Sequence, residues 1–306
     1  ATAANAGRLT PATSLDWSSP DLEVDLKYHF NPDVYKRRVY NGFGHADPQM
    51  ELVFGPNIAD WPELSPLPEH LVLEVASVIT DPVTTTDELI PSGETSSLRS
   101  NPQKLAEFTL SRKDPGYVGR AKAAQALEKK RLANPDDPEV IAKVRGLVDI
   151  CKEQPAVCAM LDEAHPLRLV GLGSLIFALK PGDGSAREQA ASCQKVLGGW
   201  ANLAVEYATK RYRSNLINWG ILPFLVEQEL GRDLKPGDWL MVPGIRAAIT
   251  AGRPSILAAL VHTEVESGKQ PWAEQVALSL RGLSATERQI LLDGSLINHY
   301  ARSKGM

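Results

Sequence analysis

The chain has 306 residues, of which 43% are hydrophobic and 23% are charged, and its formal net charge is -4 at pH 7. This composition is typical of a soluble globular protein, and the length allows one large domain or two ordinary ones. The slight excess of acidic groups argues against a general nucleic-acid-binding protein, which needs clustered Lys and Arg. No apolar stretch approaches the roughly 20 residues of a membrane-spanning helix, so we expect a soluble, intracellular protein with no membrane partner.

The first residues form no signal peptide, because they contain neither a charged n-region nor an apolar h-region. We expect the sequence to begin inside a longer polypeptide or at a processing site. Residues 1–65 have little periodicity and are rich in Pro, Asp and Asn, which predicts an extended N-terminal arm. Residues 66–306 are predicted to form the folded domain.

The three cysteines are predicted to be reduced thiols, since Cys151, Cys158 and Cys193 form no CxxC pair and no even-numbered framework. The spacing of Cys151 and Cys158 fits neither a zinc ribbon nor a cluster-binding run. Cys193 is expected to pack as a small hydrophobic residue. We therefore predict no metal ligand in this chain.

Apolar runs, polar loops and amphipathic stretches alternate along the first half of the domain. The predicted elements are a buried strand at 71–79, a polar loop at 84–87, a loop at 92–102 carrying Arg99, a short helix at 103–110 and a helical insertion at about 116–160 with helices at 121–132 and 139–150.

The second half begins with an apolar run at 167–179, predicted to be one buried strand or two short ones. A helix at 188–197, a polar stretch at 210–215 and strands at 203–208, 221–226, 239–242, 256–261 and 276–280 are predicted to follow. The last helix is predicted to begin at Ser284, because Glu287 completes a capping box, and to bury Ile290, Leu291, Ile297 and Tyr300. Strands mixed with helices without strict alternation predict an α/β fold with a mixed or barrel-like sheet flanked by helices.

The sequence Gly-Asp-Gly-Ser-Ala-Arg-Glu at 182–188 lies where a strand is predicted to turn into a helix. Its two glycines allow backbone N–H groups to approach a ligand closely. Ser185 falls at the predicted N-cap, and Arg187 adds a planar fork of donors. This pattern can hold a carboxylate or phosphate beside a serine hydroxyl. An ordinary capped helix after a glycine turn is the alternative.

Three loops supply side chains that can bind a ligand: Asp87, Arg99 and the pair Ser185 and Arg187. With their flanking residues, these loops resemble the C-terminal swivelling domain of the aconitase family. Residues 81–91 are similar to its D-N-(I/V)-T-T-D-H-I-x-P loop, residues 99–101 to R-S-N, and residues 182–188 to G-x-G-S-S-R-E. Residues 213–223 are similar to R-x-N-L-I-N-x-G-I-L-P. The resemblance extends from about residue 54 to residue 300, and it implies a layered β/β/α swivelling-domain fold.

The resemblance also implies roles for individual residues. Ser185 matches the family base that takes a proton from a substrate carbon, and Asp87 matches an Asp that positions catalytic groups. Arg99 and Arg187 match arginines that bind substrate carboxylates, a bidentate task for which Lys is a poor substitute. Because a serine hydroxyl is a poor base in water, its site must favour the alkoxide through oriented N–H donors and a nearby cation.

Three further positions match substrate-binding parts of the family site. Gly184 matches the backbone beside the base, Ala186 replaces the second Ser of the motif, and Arg8 lies near the position of another substrate arginine. The family reaction uses a [4Fe-4S] cluster as a Lewis acid, and its three cysteine ligands lie upstream of the swivelling domain. No cysteine of this chain matches them, so the cluster is expected in upstream core domains or in a large subunit.

The chain is therefore predicted to be part of a hydro-lyase that dehydrates and rehydrates a small di- or tricarboxylic hydroxy acid. It is expected to be inactive without the cluster-bearing core. Departures from the family pattern at Ala186, Glu88, Gln189 and Tyr212 leave a second hypothesis open. This is a non-catalytic aconitase-like protein, either a degenerate hydratase or an RNA-binding regulator using the basic residues at 129–131 and 210–213. A dinucleotide-binding oxidoreductase is excluded, since Arg187 stands where the third fingerprint glycine belongs.

Overall fold

The computed structural model describes residues 5–9, 11–14, 16, 18, 30–33, 44–45, 47–51, 53–161, 167–263 and 270–305. The chain divides into two compact units, Ala1–Val53 and Phe54–Met306. In the first unit the described residues include one short 3-10 helix, Ala12–Ser14. Of the predicted extended arm at 1–65, residues 1–4, 10, 15, 17, 19–29, 34–43, 46 and 52 lie outside the described residues.

The second unit contains nine strands within its described residues. They are β1 (His70–Ile79), β2 (Thr84–Thr85), β3 (Val170–Ala178), β4 (Pro181–Asp183), β5 (Gly199–Ala204), β6 (Leu222–Leu225), β7 (Trp239–Val242), β8 (Ser255–His262) and β9 (Trp272–Ser279).

The same part of the chain contains eleven α-helices. They are α1 (Thr86–Leu89), α2 (Pro102–Ala106), α3 (Tyr117–Ala133), α4 (Pro138–Ile150), α5 (Pro155–Cys158), α6 (Arg187–Val196), α7 (Lys210–Asn218), α8 (Leu230–Asp233), α9 (Ile245–Thr250), α10 (Ala285–Asp293) and α11 (Leu296–Ser303). None of these helices is long and apolar enough to cross a membrane.

Seven of the described strands close into a barrel in the order β1-β3-β5-β6-β9-β8-β7, and β2 and β4 form a separate two-stranded sheet. Pairing is parallel from β1 through β3 and β5 to β6, and antiparallel through β9, β8 and β7 back to β1. Every residue of β3 is buried, as expected for a parallel strand covered on both faces. The prediction of a mixed α/β fold with a barrel-like sheet is confirmed.

The alternation of side chains along β1 divides the core between the barrel interior and an outer layer. Leu71, Leu73 and Val75 belong to the interior cluster. Val72 points to the opposite side and packs in a cluster with residues of α4. This period of two is the geometry of an extended strand with both faces covered.

Most predicted elements are present with shifted bounds, but the segment after β5 is different. The strand predicted at 203–208 ends at Ala204, and the polar stretch at 210–215 forms the first part of α7. The side chain of Thr209 caps that helix by accepting from the Tyr212 N–H. Similarly, the loop predicted at 84–87 contains β2 and the start of α1.

The C-terminal helix is broken where the sequence predicts a continuous one. The capping box of Ser284 and Glu287 is confirmed. However, Gly294, at a φ of 89°, ends α10, and α11 starts two residues later. Ile297 and Tyr300 are 50% and 58% exposed, so their predicted burial is wrong. The break is held by close backbone packing, since a Cβ on Gly220 would overlap the Gly294 carbonyl.

Candidate active site

The small sheet of β2 and β4 joins the two motifs that the sequence analysis singled out. The strands are parallel, with Thr84 opposite Pro181 and Thr85 opposite Asp183. The Thr84 N–H donates to the carbonyl of Lys180 at 3.0 Å. Both strands therefore end at the same edge, where one chain segment continues to Asp87 and the other to the turn at 184–187.

A buried threonine hydroxyl fixes the second segment to the first. Thr86 is 2% exposed, and its Oγ1 accepts a hydrogen bond from the Ala186 N–H at 3.2 Å. The backbones lie so close that a Cβ on Gly184 would overlap this oxygen, and Gly184 has a φ of 123°. Glycine is therefore required here on two counts, the contact and the backbone conformation.

Ser185 is exposed and does not cap the following helix, so its prediction as the N-cap is wrong. The N-cap of α6 is Ala186, whose side chain can accept no hydrogen bond. The Thr86 contact moves the helix start one residue along the chain and leaves the Ser185 hydroxyl outside the cap. The first-turn N–H groups of α6, at the positive end of its dipole, have no side-chain cap and can bind an anion.

Arg187 lies over the same turn. Its Nη1 donates to the Gly184 carbonyl at 2.9 Å. A guanidinium has five N–H donors, so the other donors are available to a ligand carboxylate. The turn therefore places a hydroxyl, a helix N-terminus and a cation within three consecutive residues.

Asp87 is exposed and forms an ion pair with Arg112, whose Nη1 lies 2.9 Å from the Asp87 Oδ2. Arg112 also pairs with Glu94. Because both side chains are about half exposed, this pairing contributes little to stability. Its effect is to place a cation beside the Asp87 carboxylate. Arg112 is not among the residues predicted from the sequence, and no motif around it signals this contact.

Arg99 is exposed and lies immediately after a 3-10 helix, Ser96–Leu98. Its Nη2 donates to the carbonyl of Ser92 at 3.4 Å, which is a contact within its own loop. In the described part of the chain no hydrogen bond or ion pair joins Arg99 to Asp87, Ser185 or Arg187. The following helix α2 packs against α6, which brings the segment carrying Arg99 to the helix that carries Arg187.

Tyr212, which stands where the resemblance expects a His, is a buried structural residue. Its hydroxyl accepts from the side-chain amides of Gln194 at 2.9 Å and Asn202 at 3.0 Å. Burial raises the pKa of Tyr212 well above its ordinary value, so the phenol stays neutral. A Cβ on Gly182 would overlap the Tyr212 ring, so this ring packs directly against the turn.

The three cysteines lie in different surroundings. Cys193 is buried in the core cluster beneath α6, which confirms its prediction as a small hydrophobic residue. The Sγ of Cys151 is buried 3.9 Å from the sulfur of Met241, and Cys158 is exposed. Burial raises the pKa of Cys193 to about 12 and that of Cys151 to about 11, which disfavours the thiolate that binds metals. Among the described residues, no group of three or more His, Cys, Asp or Glu could hold a metal ion.

Arg8 belongs to the first unit and is exposed. Its backbone N–H donates to the carbonyl of Asn5 at 3.0 Å, which closes a turn. Its assignment to the substrate site stays a prediction, as do those of Ser185, Asp87, Arg99 and Arg187.

Replacing Thr86 by Val should lower the free energy of unfolding by about 1–3 kcal/mol, because the buried Ala186 N–H loses its acceptor. Thr84→Val is the matched control. The Thr84 hydroxyl is also buried but has no partner among the described residues, so this change should be neutral or stabilising. Urea denaturation of the two variants measures the difference, and equal losses would contradict the role given to Thr86.

No family model matches the chain, and no curated protein matches it significantly. A solved structure of 3-isopropylmalate dehydratase (leuD) from Methanocaldococcus jannaschii is similar, with a TM-score of 0.40 and 20% sequence identity. The match covers 77% of this chain and 95% of that chain. Similarity at this level assigns no function, so the candidate site depends on the geometry described above.

Proposed function

We propose that this chain supplies half of the active site of an aconitase-type hydro-lyase acting on a di- or tricarboxylic hydroxy acid. One observation carries the proposal. The pairing of β2 with β4 and the hydrogen bond from Ala186 to Thr86 join two motifs that are 100 residues apart in the sequence. They are the motifs that the family resemblance requires to act together.

Ser185 is proposed to remove the carbon-bound proton of the substrate. Its hydroxyl is exposed and takes no part in capping α6. A serine can act as a base only where its alkoxide is stabilised, and the turn has two means of doing so. These are the uncapped N–H groups of α6 and the guanidinium of Arg187.

Arg187 and Arg99 are proposed to bind the substrate carboxylates. Both are accessible to a ligand, and each makes one backbone contact that leaves further N–H donors available. Asp87, beside Arg112, is proposed to position groups at the same edge. Since these side chains lie on an open surface, a second protein surface is needed to exclude water from the reaction.

The cysteines of this chain do not fit an iron–sulfur cluster. Two of the three are buried in separate core clusters, and burial raises the pKa of both thiols. Any Lewis acid is proposed to come from cluster-bearing core domains or a large subunit that covers the surface around Ser185.

Two departures from the family pattern have structural explanations. The carboxylate of Glu88 accepts from the Thr85 N–H at 2.7 Å and completes the capping box of α1. Tyr212 supports the turn through its buried hydroxyl. These contacts stabilise helix α1 and the turn of the candidate site, which favours the hydro-lyase over a degenerate, non-catalytic hydratase.

For the first of the two basic stretches, the described contacts do not favour RNA binding. In the basic stretch at 129–131, Lys130 pairs with Glu139 at 2.6 Å and Arg131 pairs with Glu128 at 2.7 Å. Paired cations release fewer counterions on binding phosphates. RNA binding is therefore not proposed as a second function.

Arg187→Gln should weaken the binding of a hydroxy tricarboxylate by about 10–100-fold, the loss expected when a charged hydrogen-bond partner is removed. Citrate titrated into the isotopically labelled chain, followed by NMR of the backbone amides, gives the dissociation constant and the site. In the unmodified chain the amides of residues 184–188 should shift most.

Arg145→Gln is the matched control for that titration, since it makes the same charge change at an exposed position of α4. It should leave the dissociation constant unchanged. Equal weakening in both variants would mean that net charge, and not the turn, attracts the ligand.

Ser185→Ala should lower turnover by about 10²–10⁴-fold in the complex with a cluster-bearing core protein, while citrate binding changes only a few-fold. The ultraviolet absorbance of the unsaturated product follows the reaction. Ser214→Ala, an exposed serine of α7, is the control and should keep full turnover. Full turnover by Ser185→Ala, or turnover by the chain alone, would refute the proposal.

A further inference from the structure

A cavity of about 590 Å³ lies at the C-terminal end of α6. Its walls include Lys195 at the end of that helix, Trp200 at the start of β5, Gln125 and Glu128 of α3, and residues 62–65 before β1. Lys195 and Arg187 are eight residues apart in one helix, so the cavity lies about 12 Å along the axis from the candidate active site.

Lys195 is the unusual group in this cavity. It is 6% exposed, whereas lysine is rarely buried without a charged partner. Its Nζ lies 3.5 Å from the centre of the Trp200 ring and 3.4 Å from the carbonyl oxygen of Gly220. Within the described part of the chain, no carboxylate lies within ion-pair distance of it.

Glu128, the acidic group that acts on Lys195 through space, is already fully engaged. Its two carboxylate oxygens accept from the Arg131 guanidinium at 2.7 and 2.8 Å, and one also accepts from the Leu172 N–H at 2.9 Å. Burial therefore dominates, and it lowers the pKa of Lys195 to about 7. Burial therefore favours the uncharged form of this amine.

Lys195 lines the cavity, and an uncharged lysine amine is a nucleophile toward carbonyl carbon. Trp200 presents its ring to the nitrogen, and a ring in that position also stabilises a protonated imine as a cation. A second charged group on the wall is paired, since Lys122 contacts Glu107 at 2.7 Å. The cavity volume is within the range of small-molecule sites.

We propose that this cavity is a second ligand site, separate from the Ser185 turn, in which Lys195 captures a small uncharged aldehyde or ketone as an imine. The Nζ lone pair forms a C–N bond to the carbonyl carbon, and the carbonyl π electrons move to oxygen. That oxygen takes up the two protons that the amine loses and leaves as water while the C=N bond forms. The step is reversible and needs neither an oxidant nor a reductant.

The test is reductive trapping on the full chain. Propanal is added with sodium cyanoborohydride near neutral pH, and peptide mass spectrometry measures propylation at each lysine. Lys195 should be labelled at least about tenfold faster than Lys122 and Lys129, which belong to the same cavity wall but are exposed. Labelling of Lys195 should level off just above pH 7.

Labelling of Lys195 at or below the rate of the two exposed lysines would overturn the proposal. The comparison is made within one unmodified chain, so it does not depend on whether a Lys195 variant folds. Lys195→Met and Lys122→Met, as a matched pair, should respectively abolish and preserve the fast-labelled peptide. Arg187→Gln should leave labelling unchanged, which keeps this test independent of the hydro-lyase proposal.

Discussion

The candidate active site depends on one hydrogen bond, from the Ala186 N–H to the Thr86 hydroxyl. It joins the end of β2 to the end of β4, sets the first residue of α6 and leaves the Ser185 hydroxyl outside the helix cap. It also requires Gly184, because a larger residue would overlap the threonine oxygen. The barrel beneath supplies the rigid parallel strands from which both segments extend.

Helix α6 connects the two proposed sites. At its N-terminus, Ser185 and Arg187 meet N–H groups that favour an anion. At its C-terminus, Lys195 lines the cavity, and its amine lies against the Trp200 ring. The N-terminal end of the helix therefore suits a carboxylate, and the Trp200 ring at the other end suits a protonated imine.

The sequence was sufficient for the elements with strong local signals. The uninterrupted apolar run of β3 and the capping box at Ser284 both predict what the structure contains. The features it could not predict depend on distant contacts. The N-cap of α6 at Ala186 is set by Thr86, and the burial of Lys195 depends on how α6 packs, although a lysine in a helix is ordinarily solvated. Likewise, the pairing of Asp87 with Arg112 has no local signature.

The most direct measurement is the dissociation constant of citrate for the Thr86→Val and Thr84→Val chains, each compared with the unmodified protein. Thr86 is buried and organises the turn, so its replacement should weaken citrate binding severalfold while leaving every proposed ligand residue in place. Thr84→Val should bind citrate as the unmodified chain does. Unchanged binding by a folded Thr86→Val chain would contradict the claim that this hydrogen bond builds the site.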